Sequence, residues 1–233
     1  MSATIEIVDD PARACAAIMV GAAADAGHVV LAGGSTPRAA NEEFVAAVKA
    51  VGVDLRETTF WFGDERAVAP DDEDANYKMV RESLIEPLGE DAIGRIMRIE
   101  GELGYAAAAD AYEREMRDAG PPEFDLLLLG IGPDAHTLSL FPDQDSLNER
   151  SRLVVGVPEA GHEPFVPRVS MTFPAVALAR HAVVLASGES KADAIAAAFG
   201  PNARPDPHLP SSMLGSFAQR LTVLIDPAAA ARL

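Results

Sequence analysis

The sequence is short of basic residues, of cysteine and of long apolar runs. It has 19 lysines and arginines against 36 aspartates and glutamates, which gives a formal net charge of −17. This balance argues against nucleic-acid binding and against attachment to anionic lipid, because both need a basic surface. A small anionic ligand is still compatible with it, since a few local cations and helix N-termini can form a positive pocket in an acidic protein.

The single cysteine, Cys15, cannot form a disulfide within the chain. It lies in an alanine-rich helical stretch with no Cys-His signature around it, so we expect a small buried side chain. No apolar run reaches transmembrane length, and the opening residues, MSATIEIVDD, are acidic and do not resemble a signal peptide. We therefore expect a cytoplasmic protein without a membrane partner.

Motifs for metals and dinucleotides are also missing. The five histidines, at positions 28, 136, 162, 181 and 208, have neither H-x-x-H nor Cys/His spacing. The segment GIGPDA has only the first two glycines of a dinucleotide fingerprint, and GGSTP lacks the G-K-[ST] ending of a P-loop. We expect neither a metal nor an organic cofactor.

Short apolar runs alternate with longer helical patterns along the 233 residues, of which 48% are hydrophobic. The predicted strands cover residues 4–8, 28–31, 58–62, 95–97, 124–129, 153–157, 168–171, 182–186 and 221–225. The predicted helices cover residues 11–26, 37–51, 76–85, 104–119 and 190–199. This alternation predicts an α/β fold, with a doubly wound, largely parallel, Rossmann-like sheet and helices on both faces. We expect one domain over residues 1–233.

Ligands of such folds bind beyond the carboxyl ends of the strands, and polar residues follow four of the predicted strands. The first is followed by the glycines Gly33 and Gly34, then by Ser35 and Thr36, with Pro37 opening a helix. Exposed backbone N–H groups and the helix dipole favour a phosphate there, with Ser or Thr as the helix cap. An ordinary capped turn is the alternative.

The other three strand ends carry charge. Asp64, Glu65 and Arg66 follow FWFG, where a solvated loop is the alternative. Gly130 and Gly132 form a tight turn that leads to Asp134 and His136, a pair suited to proton transfer near neutral pH unless the histidine is structural. Lys191 lies in the first turn of a helix, where it either binds an anion or pairs with Glu189 or Asp193. Together these ends predict a phosphate site (Gly33 to Thr36, Lys191) beside an acid/base site (Asp64, His136).

At these residues the chain resembles the 6-phosphogluconolactonases, which share a superfamily with the glucosamine-6-phosphate isomerases (deaminases). The resemblance covers nearly the whole chain through LAGGSTP, WFGDERAVAPDDEDANY, LLLLGIGPDAHTLSLFP, RVSMTFPAVALARHAVVLASGESKADAI and LPSSML. It implies hydrolysis of 6-phospho-D-glucono-1,5-lactone to 6-phosphogluconate in the oxidative pentose phosphate pathway. It also implies that Arg168 binds the phosphate, and it exposes one departure, since the family has Gly where this chain has Ala135.

The resemblance implies a mechanism in which His136 activates a water molecule, with Asp64 or Asp134 orienting its ring and Asp64 favoured. Arg66 or a backbone N–H of the Gly130–Gly132 turn would stabilise the oxyanion. The deaminases are the nearest alternative. They typically have Asp-Glu-Tyr where this chain has Asp64, Glu65 and Arg66, and an Ala-Phe-Asn-Glu-Pro-like run where it has TLSLFP. A sugar-phosphate sensor is a third reading, although no helix-turn-helix or basic segment is present. The oligomeric state stays open.

Overall fold

The computed structural model describes residues 3–24, 26–118 and 123–233. Its ten strands are β1 (Thr4–Ile7), β2 (His28–Leu31), β3 (Leu55–Phe62), β4 (Asp64–Arg66), β5 (Ile93–Met97), β6 (Leu126–Leu129), β7 (Val154–Val157), β8 (Arg168–Met171), β9 (Ala182–Ala186) and β10 (Leu221–Ile225). Its α-helices are α1 (Pro11–Ala23), α2 (Ser35–Val51), α3 (Asn76–Val80), α4 (Glu86–Leu88), α5 (Tyr105–Asp118), α6 (Phe173–Val176), α7 (Ala192–Phe199) and α8 (Pro210–Met213). A π-helical turn, Arg81–Ile85, joins α3 to α4. The predicted helical positions 25 and 119 lie outside the described residues.

Seven strands form a parallel sheet in the order β1-β10-β9-β6-β2-β3-β5. Every residue of β6, β9 and β10 is buried. Alternate residues of a strand point to opposite faces, so complete burial requires cover on both faces of the sheet. The α/β fold predicted from the apolar runs is therefore confirmed.

The chain leaves β2 toward β3 and β5 on one side, and returns to β6 and then β9 on the other. Loops that follow β2 and β6 therefore diverge and open a crevice between the carboxyl ends of these adjacent strands. This crevice holds the turn residues Gly33 and Gly34 on one side and Gly130 to Gly132 on the other.

Two of the predicted strands do not join the parallel sheet. Strands β7 and β8 pair antiparallel, and β4 pairs antiparallel with β8, in a separate three-stranded sheet. Gly63 joins β3 to β4, and its carbonyl accepts a hydrogen bond from the N–H of Met171 at 2.8 Å. A Cβ on Gly63 would lie 2.8 Å from Cδ2 of Leu138, so a larger residue here would displace the end of the Leu138 side chain. The small sheet is thereby fixed beside the carboxyl edge of the large one.

None of the helices in the described ranges is long and apolar enough to cross a bilayer.

Candidate active site

A cavity of about 260 Å³ lies at the carboxyl edge of the large sheet and is walled on one side by the small sheet. It brings together most of the predicted site residues: Gly33, Gly34, Asp64, Arg66, Gly130, Gly132, His136, Arg168 and Lys191. Ser35 and Thr36 instead line a neighbouring hollow beside Asp10 and Ser187. A wider groove of about 860 Å³ along β5 and α5 is lined by other residues, among them Arg95, Arg98 and Glu115.

His136 is held by a turn that follows the central strand β6. The N–H of Gly132 donates to the carbonyl of His136 at 2.9 Å, and the N–H of Ala135 donates to the carbonyl of Gly132 at 3.0 Å. Asp134 Oδ1 lies 2.5 Å from His136 Nδ1 and also accepts the backbone N–H of His136 at 3.2 Å. Burial opposes ionisation of Asp134, but its hydrogen bond to His136 and the charge of that ring hold the pKa of the carboxyl below its usual range.

Because an ionised carboxylate only accepts hydrogen bonds, Nδ1 of His136 carries a proton, and Nε2 of the neutral ring has a free lone pair. The acid that contacts the imidazole is thus Asp134, and Asp64 has other partners. The ring of Phe141 packs 4.7 Å from the His136 ring. Phe141 belongs to the TLSLFP run, which the resemblance sets against the Ala-Phe-Asn-Glu-Pro-like run of the deaminases.

Two small residues shape this turn: Gly132 leaves room for the imidazole ring, and Ala135 has a left-handed backbone conformation. A Cβ on Gly132 would lie 2.1 Å from His136 Nδ1, so the imidazole can occupy its place only because residue 132 is glycine. Ala135 has φ of 60° and is fully buried. For an alanine this left-handed conformation costs roughly 1–2 kcal/mol. The carbonyl of Ala135 accepts the N–H of Ser211 at 2.9 Å, which fixes the start of α8 against the turn.

Asp64 is fixed by two buried polar side chains. Ser139 Oγ donates to Asp64 Oδ2 at 2.7 Å. Asn76 Nδ2 donates to the Asp64 carbonyl at 3.0 Å and reaches Oδ1 at 3.4 Å. A Cβ on Gly33 would lie 2.0 Å from Asn76 Oδ1, so this glycine allows the loop after β2 to pass against Asn76. The carboxylate of Asp64 is therefore oriented by contacts with two other segments of the cavity wall.

Glu65 is buried behind the cavity and fastens the loop of residues 67–75. Its carboxylate accepts the backbone N–H groups of Arg66, Asn76 and Tyr77 at 2.6–2.7 Å. Burial raises the pKa of Glu65 to about 7, an effect that the three N–H donors oppose and the nearby Asp64 reinforces.

Arg66 and Arg168 are direct partners in the antiparallel pairing of β4 and β8. Burial, together with the charge of Arg66, lowers the pKa of Arg168. Arg66 Nη1 donates to the carbonyl of Asp74, whereas its buried Nε has no hydrogen-bond partner in the part of the chain that the structure describes. Two adjacent guanidinium groups at the cavity wall form a site that favours an anion.

The loop after β2 differs from the prediction in its cap. Gly34, with φ of 107°, is the N-cap of α2, and no side chain caps the helix. The expectation that Ser35 or Thr36 would cap it is wrong, because the helix starts at Ser35 and takes up both residues in its first turn. Without a side-chain cap, the N–H groups of this turn stay available to an anion.

Lys191 ends a 3₁₀ turn before α7, and its side chain crosses to the loop after β6. Its Nζ donates to the carbonyl of Ile131 at 2.7 Å. Burial lowers the pKa of Lys191, and the charge of Asp134 opposes that shift. Within the described ranges, no group of three or more His, Cys, Asp or Glu side chains is placed to hold a metal ion.

Several residues of the cavity wall were not predicted, among them Asn76, Ser139, Phe141 and His162. Asn76 ends the acidic run DDEDAN and looked like part of a surface loop. Ser139 and Phe141 lie within TLSLFP, which served only to separate two families. His162 lies in a loop with no periodic pattern, so nothing in the sequence set it apart.

Comparison with known proteins gives consistent results. The sequence model of the family described as glucosamine-6-phosphate isomerases/6-phosphogluconolactonase matches residues 5–223. The 6-phosphogluconolactonase of Mycobacterium leprae is 32% identical over 100% of this chain and 99% of its own length. The 6-phosphogluconolactonase of Homo sapiens is 35% identical over 86% of this chain and 78% of its own. The solved 6-phosphogluconolactonase from Trypanosoma cruzi has a TM-score of 0.81 and 27% identity, covering 100% of this chain and 98% of that one.

Proposed function

The chain belongs to the glucosamine-6-phosphate isomerase/6-phosphogluconolactonase family, and we propose that it hydrolyses 6-phospho-D-glucono-1,5-lactone to 6-phospho-D-gluconate. The observation that carries the reaction type is the Asp134–His136 pair, with 2.5 Å between Oδ1 and Nδ1, at a cavity that also holds Arg66, Arg168 and Lys191. A base beside a group of cations suits a substrate with two parts: a neutral ester group, which the base helps to hydrolyse, and an anionic phosphate, which the cations bind.

In this reaction His136 Nε2 takes a proton from a water molecule while the water oxygen bonds to C1 of the lactone. The C1 carbonyl oxygen becomes an oxyanion. The C1–ring oxygen bond then breaks, and the ring oxygen leaves as a hydroxyl that takes the proton back from Nε2. The new carboxylic acid ionises to 6-phosphogluconate. Asp134 stabilises the imidazolium that forms between the two proton transfers, and Asp64 accepts a hydrogen bond from the substrate.

Arg66 is our candidate for the oxyanion donor. Its Nε is buried without a partner in the described ranges, while the N–H of Gly132 is already donated to the His136 carbonyl. Arg168 and Lys191, which line the cavity, hold the phosphate. The backbone N–H groups of Ser35 and Thr36, in the uncapped first turn of α2 after Gly33 and Gly34, supply further donors to it, although the two residues line the neighbouring hollow. Binding the remote phosphate places C1 next to the water and His136, which lowers the entropic part of the barrier.

The deaminase reaction is the alternative within the same family. Two features favour the lactonase. Phe141 packs against the His136 ring in the TLSLFP run, which lacks the acid of the deaminase run that the resemblance sets against it. Arg66, paired with Arg168, stands where the deaminases typically have a tyrosine. We also propose that residues 1–233 form one cytoplasmic lactonase domain whose ligand is this small phosphosugar. A continuous hydrophobic core that extends from Cys15 to Ala229 supports the single domain.

The test is a paired turnover assay. The purified protein is expected to accelerate the opening of 6-phosphogluconolactone above its spontaneous rate and to release no ammonia from glucosamine 6-phosphate. Ammonia release without lactone opening would contradict the proposal in favour of the deaminase. Binding of both compounds without turnover of either would favour the sensor.

A further inference from the structure

The loop of residues 158–167, between β7 and β8, brings a second imidazole to the cavity. The ring centroid of His162 lies 5.8 Å from that of His136, at an interplanar angle of 46°, and both residues line the cavity. The mechanism described above uses His136 alone, so the chemistry of His162 is unaccounted for.

Two contacts hold this loop in place over the site. Arg168, which is only 3% exposed, donates from Nη2 to the carbonyl of Pro164 at 2.6 Å and from Nε to the carbonyl of Val166 at 3.1 Å. A Cβ on Gly161 would lie 3.1 Å from atoms of Phe141, so a glycine lets the loop pass close to the ring that packs on His136. The position of His162 is thus built into the loop.

The hydrogen bonding of His162 defines which ring nitrogen faces a ligand. Its Nδ1 lies 2.9 Å from the carbonyl oxygen of Glu163. A carbonyl only accepts, so Nδ1 carries the proton and Nε2 of the neutral ring has a lone pair. No described residue donates to that nitrogen. The partner of Nδ1 is a neutral carbonyl, whereas the partner of His136 Nδ1 is the carboxylate of Asp134.

We propose that His162 is a substrate-contacting residue, whose Nε2 accepts a hydrogen bond from a hydroxyl group of the sugar lactone. The inference rests on the proposed function. A polyhydroxylated ring presents several O–H donors, and each needs an acceptor when it leaves water. The lone pair of His162 supplies one such acceptor, beside the carboxylates of Asp64 and Glu163 that line the same cavity. His162 therefore contributes to binding, while proton transfer belongs to His136.

The experiment compares His162→Phe, which keeps an aromatic ring but removes both nitrogens, with His162→Gln, which keeps an acceptor. With 6-phosphogluconolactone, His162→Phe is expected to raise KM about tenfold, the order expected for one lost hydrogen bond, and to change kcat less than about threefold. His162→Gln is expected to restore most of the affinity. His208→Ala is the matched control, because its imidazole pairs with Asp143 at 2.6 Å and does not line the cavity; its KM should match the wild type.

A wild-type KM in His162→Phe would overturn the inference, and so would a large loss of kcat at unchanged KM, since that result would make His162 a proton-transfer group. Calorimetric titration with 6-phosphogluconate separates this inference from the proposed function. If the wild type bound 6-phosphogluconate but did not hydrolyse the lactone, the proposed function would fail, and a tenfold weaker affinity of His162→Phe would still support the contact. Equal affinity of the two proteins, or no binding by either, would overturn it.

Discussion

Replacing Asp134 by Asn tests the proposed role of this acid in orienting the imidazole of His136. Asp134 Oδ1 accepts hydrogen bonds from Nδ1 of His136 at 2.5 Å and from the His136 backbone N–H at 3.2 Å. Asparagine has almost the same shape and can still accept the backbone N–H. It has no charge to stabilise an imidazolium, and its amide group can donate to Nδ1. That donation would move the ring proton to Nε2, where the lone pair of the base is needed.

The size of the effect follows from the bond that is lost. A hydrogen bond to a charged group contributes about 1.5–3 kcal/mol, which corresponds to roughly a 10- to 150-fold fall in kcat. KM should stay within about threefold of the wild type, because the proposed phosphate ligands Arg168 and Lys191 are unchanged. Both constants come from steady-state hydrolysis of 6-phosphogluconolactone, corrected for the spontaneous opening.

Asp110→Asn is the matched control, since Asp110 is an exposed carboxylate that pairs with Arg152 at 2.7 Å, on a helix outside the cavity. Its kcat is expected to equal that of the wild type. If Asp134→Asn retained the wild-type kcat, the role of this carboxylate in orienting and stabilising the imidazole would be refuted.

Three further predictions concern the turn and the buried acid beside the site. Ala135→Gly removes the strain of a left-handed alanine, so it should change the free energy of unfolding in urea by less than about 1 kcal/mol. Ala108→Gly, at an equally buried helical position, should lower that free energy by about 1–2 kcal/mol. Equal losses in the two variants would contradict the strain at Ala135. Gly132→Ala puts a methyl group at the place of His136 Nδ1, so kcat should fall at least about 100-fold, and unchanged kinetics would refute the close approach. The pKa of Glu65 is raised to about 7 in the folded chain, so Glu65 binds a proton more tightly there than in the unfolded chain. The stability that this proton contributes to the folded state is complete below about pH 4.5 and is lost as the pH rises through about 7. Denaturation of the wild type against Glu65→Gln over this range should therefore show a difference in unfolding free energy that declines by up to about 3 kcal/mol, and a difference independent of pH would contradict the shift.

Much of the large sheet could be predicted, because its strands are buried on both faces and read as unbroken apolar runs. Leu126–Leu129 and Ala182–Ala186 are the clearest cases. Strand β7 is also largely apolar, whereas β8 alternates polar and apolar residues, and neither sequence identifies the strand that it pairs with. Their antiparallel sheet was therefore missed, and with it the pairing of Arg66 with Arg168.

The candidate site was predictable where a strand ended in glycines and charge, as at His136 and Asp134. It was not predictable where a contact depends on distant segments of the chain. Ser139 meets Asp64 across 75 positions, and His162 reaches the cavity through a loop held by a buried arginine. The predicted N-cap of α2 was wrong for a local reason. Gly34 adopts the positive φ that ends the loop, so the helix begins at Ser35.

The most direct test of the central claim is the steady-state hydrolysis of 6-phosphogluconolactone by the wild type and by His136→Asn, with the spontaneous opening subtracted. The account predicts that His136→Asn loses at least about 100-fold in kcat, as expected for a general base, and that its affinity for 6-phosphogluconate stays within about threefold of the wild type. A variant that opens the lactone at the wild-type rate would contradict the account.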